Sequence, residues 1–199
     1  EFPVKVPLSM LFGDLPISNI EINQSTPKQI IDSINYDLDL SEAIQRVLSH
    51  PSVASKSFLI TIGDRTVGGL VARDQLVGRY QVPTSNYAMS TKSFLSNEGD
   101  VLSIGEKPTL ALKNPAASMR MALAEALMNL ISAPIKNLDL VRLSANWMAA
   151  CGDEEENYAL RQGVEALSNI CIELGIAIPV GKDSLSMRTK WNEDDQELQ

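Results

Sequence analysis

The sequence predicts an α/β or α+β fold in which helices cover one face of a sheet. Short apolar runs rich in β-branched residues alternate with long helical segments, which is typical of that class. Two of the helices also have clear ends. Asn114 can cap a helix that begins at Pro115, where the missing proline N–H leaves no bond unmade. A second, amphipathic helix is predicted over residues 158–174, with Gly175 as its C-cap.

Residues 1–51 are predicted to form an extended lead-in without a clear period, followed by a small helical linker. Within the linker, apolar residues at helical spacing predict one helix over residues 27–36 and a second helix capped by Ser41. Residues 52–199 are predicted to form the main domain. Because the chain begins at Glu1 and ends in an acidic run, we expect it to be part of a longer protein.

Four short apolar runs are predicted to be strands of the sheet: residues 58–62, 87–94, 140–143 and 176–180. The first of these runs is bounded by Gly63, and we expect it to be buried. Two further apolar pieces, residues 101–104 and 110–112, have no period that separates a helix from a strand.

Two polar loops are predicted to follow strands. Residues 63–78 combine glycines with acidic, basic and amide side chains, but they match neither a GxGxxG fingerprint nor a P-loop. A set of structural turns is the simpler interpretation of this stretch. Residues 181–184, Gly-Lys-Asp-Ser, form a short loop that could contact phosphate through backbone N–H groups and Lys182. An ordinary turn between strands is the alternative there.

Glu125 and Asn129 are anomalous in the helix that begins at Pro115, because most of its other side chains are Ala, Leu and Met. Four residues apart, the two side chains lie on one face of the helix. A carboxylate and a carboxamide are costly to bury unless a positive charge lies between them, so the pair are candidate metal ligands. The alternative is a solvated polar stripe on a partly exposed helix.

Composition and charge exclude several classes of protein. The 199 residues are 44% hydrophobic and 21% charged, as in ordinary globular proteins, and carry a formal charge of −8. No basic cluster offers a phosphate footprint, so we expect no nucleic-acid partner. No apolar run approaches transmembrane length and no signal peptide is visible, so we expect no membrane partner and a cytoplasmic location.

Histidine and cysteine usage narrows the chemistry further. His50 is the single histidine, and Cys151 and Cys171 lack CxxC spacing. A Ser-His-Asp triad, a Cys–His nucleophile pair and a histidine-rich zinc site are therefore difficult to assemble from this chain. Cys171 lies in an apolar helical stretch, and we expect it to be a thiol of the core.

Four motifs in fixed order carry a specific resemblance. They are ITIGDRTVGGLVARDQLVG at residues 60–78, AEALMNL at 124–130, LSANWM at 143–148 and IPVGKDSLSM at 178–187. In this order and spacing, the sequence resembles the phosphoribosylformylglycinamidine synthase family of purine biosynthesis, over essentially the whole chain. The family enzymes are much longer, and the chain resembles the beginning of the second of two related synthetase repeats.

This resemblance implies a fold and a reaction. Each repeat of the family is similar to aminoimidazole ribonucleotide synthetase, and residues 52–199 resemble its N-terminal domain, a sheet covered by helices that is preceded here by the short helical linker. The family converts formylglycinamide ribonucleotide, ATP and glutamine into formylglycinamidine ribonucleotide, ADP, phosphate and glutamate. The glutaminase residues and the main synthetase histidine belong to other parts of the family enzyme, so the resemblance implies no catalytic residue in this chain. The implied partners are the first synthetase repeat and the glutaminase domain, and we expect the isolated piece to self-associate.

The resemblance also implies an auxiliary site for ADP or ATP and magnesium. Its metal ligands would be Asn86, Glu125 and Asn129, with a further aspartate beyond Gln199. Asn86 replaces the aspartate that is usual in the family, which predicts weaker metal binding because magnesium prefers anionic oxygens. The implied nucleotide contacts are Ser85, where the family has alanine, together with Lys182, Asp183 and Ser184.

A rival interpretation comes from a different class of protein. The chain would be a structural or interaction module that has kept the fold and lost the ligand, and Asn86 favours this view. A free-standing nucleotide-binding protein is a third interpretation, which the incomplete metal shell disfavours. Magnesium–ADP binding discriminates between the first two.

Overall fold

The chain folds as a mixture of helices and strands. The computed structural model describes residues 4–14, 19, 22, 37–63, 65–66, 68–186, 188–189, 191–193 and 196–198. These residues form six α-helices and seven strands, so the predicted α+β class is confirmed. The helix predicted over residues 27–36 lies outside the described residues. None of the helices in the described part is long and apolar enough to cross a membrane.

Two helices belong to the N-terminal part of the chain, α1 (Leu8–Phe12) and α2 (Leu40–Ser49). The prediction of an extended lead-in is therefore wrong over α1. The linker helix α2 is confirmed, but its predicted cap is not. Asp39 is the N-cap, and its carboxylate accepts a hydrogen bond from the backbone N–H of Ser41 at 3.1 Å. Aspartate and serine are both strong caps, and the helix begins at the earlier of the two.

The predicted buried strand at residues 58–62 is a helix, α3 (Ser57–Ile62). The hydroxyl of Thr61 donates to the carbonyl of Ser57 one turn earlier, at 3.0 Å. Phe58 and Leu59 are 53% and 62% exposed, so the run is not buried either. The prediction failed because a short apolar run has the same composition in a strand and in a short helix.

Three strands form an antiparallel sheet in the order β1 (Val71–Arg73), β2 (Ala88–Thr91) and β3 (Gly99–Leu102). The strand predicted over residues 87–94 is thus confirmed at its centre, and the undecided piece 101–104 begins as a strand. The predicted loop 63–78 contains β1, because β2 supplies backbone partners that a local pattern does not show.

A β-α-β unit makes a second, parallel pair of strands. It runs from β4 (Arg142–Met148) through α6 (Glu154–Leu174) to β5 (Ala177–Ser184). The helix starts four residues before the predicted position because Asp153 accepts hydrogen bonds from two N–H groups of its first turn. Gly175 has φ of +69° at the C-cap, where glycine meets no steric penalty, and that prediction is confirmed.

The predicted Gly-Lys-Asp-Ser loop at residues 181–184 is wrong, since β5 continues as a strand through Ser184. In the parallel register Lys182 lies opposite Asn146, and Ser184 lies opposite Met148. Glycine and charged residues locally favour a turn, but β4 is long enough to pair with them. The strand predicted over 140–143 likewise begins later, at Arg142.

Two helices join the sheets, α4 (Pro108–Ala111) and α5 (Pro115–Leu130). The predicted cap of α5 is confirmed, because the side-chain oxygen of Asn114 accepts from the N–H of Ala117 at 2.9 Å. A last hairpin pairs β6 (Trp191–Glu193) with β7 (Gln196–Leu198).

Helix α5 lies between two clusters of buried side chains. The first cluster consists of Tyr87, Leu130, Ala133, Val141 and Ile176. The second consists of Leu123, Leu167 and Cys171. Leu127 and Leu143 pack against both clusters and join them. The predicted core thiol is confirmed, and burial raises the pKa of Cys171.

Candidate functional site

The polar residues of α5 bind the stretch that leads from β3 to α4, residues 103–107, which we call the clasp segment. Glu125 accepts two hydrogen bonds on Oε2, from the N–H of Glu106 at 2.9 Å and from Nζ of Lys107 at 2.7 Å. Asn129 donates from Nδ2 to the carbonyl of Ile104 at 2.9 Å. Both residues singled out by the sequence therefore bind the same segment of the chain.

Two serines complete the attachment of the clasp segment. Ser103 donates from Oγ to the carbonyl of Ala126 at 2.8 Å, and Ser118 donates from Oγ to the carbonyl of Lys107 at 2.6 Å. Ser118 is 1% exposed, so this hydrogen bond satisfies a fully buried hydroxyl. The clasp segment is thus held to α5 at both of its ends.

Gly105, in the middle of the clasp segment, touches the backbone of α5. A Cβ atom placed there would lie 2.0 Å from the carbonyl oxygen of Ala122 and 2.5 Å from the N–H nitrogen of Ala126. Neither backbone atom can move without disturbing the helix. This close approach requires glycine and brings the clasp carbonyls within reach of Asn129.

The electrostatics of the site keep Glu125 ionised. The Lys107 ammonium and the N–H of Glu106 hold the pKa of the Glu125 carboxyl below its usual range. The side chains of Glu125 and Lys107 are 36% and 34% exposed. At that exposure the ion pair contributes only a few tenths to about 1 kcal/mol to folding. The carboxylate is therefore anionic at neutral pH without being deeply buried.

Acceptor atoms remain at this site after the clasp contacts are made. Both hydrogen bonds of Glu125 fall on Oε2, and those in the described part of the chain leave Oε1 without a donor. The amide of Asn129 is oriented by its bond from Nδ2, which leaves Oδ1 without a partner among the same residues. Carboxylate and amide oxygens are ligands that magnesium accepts. The donor set thus fits a hard cation bound in part by a ligand's phosphates.

Carboxylates alone would not make a site here. Across the described ranges, no group of three or more His, Cys, Asp or Glu side chains is arranged to hold a metal ion. Any metal at α5 would depend on amide oxygens. Asn86 is exposed just before β2. The β2–β3 pairing ends at Ala88 opposite Leu102, so Asn86 lies two residues before the paired part of β2 and Ile104 two residues after that of β3.

Ser85 is engaged with its own neighbours. Its hydroxyl donates to the carbonyl of Tyr87 at 2.6 Å and accepts from Nε of Arg73 at 3.0 Å. The guanidinium of Arg73 also lies over the ring of Tyr87, 4.7 Å from the ring centre. Ser85, a predicted nucleotide contact, therefore binds Arg73, a residue that the sequence did not single out.

Lys182, Asp183 and Ser184 form a separate group on β5. Lys182 donates from Nζ to the hydroxyl of Ser184. Asp183 and Trp147 line an open cleft of about 310 Å³ along the β4–β5 pair. In the parts of the chain that the structure describes, no hydrogen bond or ion pair joins this group to Ser85, Asn86 or α5.

Sequence reasoning missed two participants, Lys107 and Ser118. Lys107 could not be found locally, because its partner Glu125 lies 18 residues away. A signal for Ser118 was present. Together with Ala122, Glu125 and Asn129 it follows the spacing of one helical face, and a serine in an Ala- and Met-rich helix marks that face as a contact.

The comparisons with known proteins agree with this architecture. Residues 55–199 match the FGAR-AT PurM_N-like domain. The chain belongs to that family, and the resemblance noted in its motifs is confirmed.

One relative has a name that describes a whole enzyme. Over 205 aligned residues the chain is 49% identical to the phosphoribosylformylglycinamidine synthase of Schizosaccharomyces pombe. The alignment covers 98% of this chain and 16% of that relative. The chain therefore spans about a sixth of the length of the relative that it matches.

Proposed function

We propose that this chain is part of a cytoplasmic, ATP-dependent ligase of purine biosynthesis. The reaction would convert formylglycinamide ribonucleotide, ATP and glutamine into formylglycinamidine ribonucleotide, ADP, phosphate and glutamate. The observation that supports this assignment is the 49% identity to a phosphoribosylformylglycinamidine synthase, which extends over 98% of the chain. Catalysis would depend on the first synthetase repeat and on a glutaminase domain, because the chain has one histidine and no nucleophile pair.

Within that enzyme, the proposed role of this piece is an auxiliary site for a nucleotide with magnesium. Glu125 and Asn129 would each offer one oxygen to the metal, and Asn86 would offer a third. Magnesium commonly takes only one or two carboxylates when a nucleotide's phosphates complete its coordination. The bound metal would neutralise phosphate charge. Lys182, Asp183 and Ser184 would contact the nucleotide from β5, and Ser85 would contribute to binding from the residues just before β2.

The ion pair of Lys107 with Glu125 has a direct consequence for metal binding. The ammonium occupies one carboxylate oxygen at 2.7 Å, so a divalent cation must compete with it or share the carboxylate. Removing the ammonium should therefore strengthen magnesium binding, although it weakens the clasp. A purely structural carboxylate would respond to the same change only in stability.

Calorimetric titration of the full-length protein with magnesium–ADP tests the site. Glu125→Gln keeps an acceptor for the N–H of Glu106 and removes the negative charge, so it should weaken binding at least about tenfold. Lys107→Met should strengthen binding by a few-fold. Glu165→Gln removes an exposed carboxylate of α6 and is the matched control. Equal affinity in all three variants, or no binding to the unaltered protein, would contradict the proposal.

A structural module without a ligand is the second candidate. The observation that favours it is that Glu125 and Asn129 already have protein partners in the clasp segment. In this case Glu125→Gln would lower the melting temperature and leave no binding signal to lose. The same calorimetric series, combined with thermal unfolding of each variant, separates the two candidates.

The proposed partner surface is the β4–β5 pair. Met148 and Val180 on these two strands are 61% and 60% exposed, and strand edges and apolar faces of this kind are normally covered. We propose that the first synthetase repeat covers this surface in the whole enzyme, and that the isolated chain self-associates through it. Met148→Lys should reduce the sedimentation coefficient of the isolated chain, and an unchanged coefficient would argue against this surface.

A further inference from the structure

Arg73 occupies an unusual position at the end of β1. Its side chain is half-buried, its Nε donates to the hydroxyl of Ser85 at 3.0 Å, and its guanidinium lies 4.7 Å from the ring centre of Tyr87. Tyr87 is buried in the first core cluster. The arginine is therefore anchored to a rigid part of the fold beside the predicted ligands Ser85 and Asn86.

Among the residues that the structure describes, the charge of Arg73 has no carboxylate partner, whereas the nearby Arg65 has one. Arg65 forms an ion pair with Asp74 at 2.7 Å, and that contact holds the pKa of the Asp74 carboxyl below its usual range. In the described ranges no carboxylate lies within 4.0 Å of a nitrogen of Arg73. A half-buried guanidinium that has no carboxylate partner among the described residues, and that lies beside a candidate site, is suited to an anionic ligand.

The contacts of Arg73 also determine which of its guanidinium nitrogens can donate hydrogen bonds to a ligand. The hydrogen bond to Ser85 engages Nε, and stacking on Tyr87 engages one face of the planar group. Among the described residues, the two terminal nitrogens donate no hydrogen bond. These nitrogens form the fork that binds two oxygens of a phosphate at once. Because the fork is already oriented, little side-chain entropy is lost on binding.

We propose that Arg73 binds a phosphate group of the nucleotide at this site, and that Ser85 acts through Arg73 by orienting its guanidinium. The ligand class is a nucleoside diphosphate, and this identity rests on the proposed function. Ser85 is thus a positioning residue rather than a direct contact. Its hydroxyl proton is already donated to the carbonyl of Tyr87, and its oxygen accepts from Nε of Arg73 at 3.0 Å and from the N–H of Tyr87 at 3.4 Å.

The test compares two arginines that both stack on a tyrosine. Arg73→Gln should weaken binding of magnesium–ADP to the full-length protein by roughly 10- to 100-fold, the range expected for charge-assisted hydrogen bonds. Arg79 lies 5.6 Å from the ring centre of Tyr80 on an exposed turn, so Arg79→Gln is the matched control and should change nothing. Arg73→Lys keeps the charge without the fork and should recover only part of the affinity.

The positioning role of Ser85 has its own variants. Ser85→Ala should cost several-fold in affinity, and Ser85→Thr, which keeps the hydroxyl, should restore it. Adding Ser85→Ala to Arg73→Gln should then have no further effect on affinity, because Ser85 acts through the arginine. An additive loss in the double variant would overturn that role. Should Arg73→Gln fail to fold by circular dichroism, Arg73→Lys and Ser85→Ala carry the same test.

Inorganic pyrophosphate without magnesium separates this inference from the proposed function. It should bind the unaltered protein and Glu125→Gln alike, but not Arg73→Gln. If magnesium–ADP depends on Glu125 and not on Arg73, the inference is wrong and the proposed site stands. If pyrophosphate depends on Arg73 and magnesium–ADP binding shows no dependence on Glu125, the metal site is wrong and the anion site stands. Absence of binding by both probes would overturn both.

Discussion

The clasp segment on α5 and the end of β5 contain similar polar residues in opposite situations. In the first region Lys107, Glu125 and Ser118 meet across 11 to 18 residues of sequence and hold backbone groups together. In the second, Lys182 and Ser184 are neighbours on one strand and contact each other. The difference teaches that residues that bridge two segments stabilise the fold and keep only part of their polar atoms for a ligand, whereas residues that contact only their own strand keep nearly all of them.

Replacing a glycine in each of the two regions should give the largest difference in stability. Gly105→Ala would place a Cβ 2.0 Å from a helix carbonyl and should lower the free energy of unfolding by about 3 kcal/mol, the upper part of the overpacking range. Gly181→Ala would place its Cβ 2.7 Å from the carbonyl oxygen of Ala145, which is a milder overlap, and should cost about 1 kcal/mol. Urea denaturation of both variants measures this. If Gly105→Ala loses less stability than Gly181→Ala, the clasp segment is not the more tightly packed of the two regions.

Replacing the serines of the two regions should also cost more stability in the clasp region than on β5, but the difference should be smaller than for the glycines. Ser118→Ala removes the donor to the carbonyl of Lys107 from a site that is 1% exposed and should cost about 1–2 kcal/mol. Ser184→Ala removes a hydroxyl whose side-chain partner is an exposed lysine and should stay within about 0.5 kcal/mol. Chemical denaturation under identical conditions checks both values. Equal losses would mean that the clasp hydrogen bond carries no special weight.

The ion pair between Lys107 and Glu125 should make the stability of the protein depend on pH in the acid range. The folded-state pKa of Glu125 lies below its unfolded value of about 4.3, so its contribution is present above that pH and is lost as pH falls through the folded-state pKa. The contribution should stay below about 1 kcal/mol because the pair is partly exposed. Melting temperatures from pH 2.5 to 7 should show a shallower acid slope in Glu125→Gln and a smaller reduction of the slope in Lys107→Met, because the N–H of Glu106 still lowers the pKa of Glu125 there. An unchanged slope in either variant would exclude the pair as its source.

Lys182 should have the smallest effect on stability. Its side chain is exposed and its hydrogen bond joins residues two apart on one strand, so Lys182→Ala should change the free energy of unfolding by less than about 0.5 kcal/mol. Affinity for magnesium–ADP should fall in the same variant if Lys182 contacts the nucleotide. A loss of stability as large as that of Lys107→Met would place Lys182 in the structural class with Lys107.

Local sequence signals predicted two helix ends correctly, placed the starts of α2 and α6 too late, and predicted short strands poorly. The caps at Asn114 and Gly175 were predicted because a cap depends on one side chain and the first or last turn. The run at 58–62 was assigned to a strand and is a helix, and the loop at 181–184 is a strand. Both errors concern short segments whose conformation depends on which distant backbone is present to pair with them.

The candidate site shows the same division. Glu125 and Asn129 were found from four-residue spacing on an apolar helix, and the motifs around them indicated the family that the comparisons confirm. Arg73 and Lys107 were not found, because their partners lie 12 and 18 residues away. The assignment of Asn86, Glu125 and Asn129 as metal ligands stays a prediction, as does the boundary between residues 51 and 52.

The sequence by itself determined the class of fold, the long helices α5 and α6, and the polar face of α5. Helical periodicity and capping depend on residues that are close together in the sequence, so they can be recognised without knowing which segments pack against the helix. Only the tertiary structure decided that the polar face of α5 holds the clasp segment, and that Arg73 stacks on Tyr87 and donates a hydrogen bond to Ser85. Those outcomes depend on contacts between segments far apart in the chain, and no local pattern records which segments will meet.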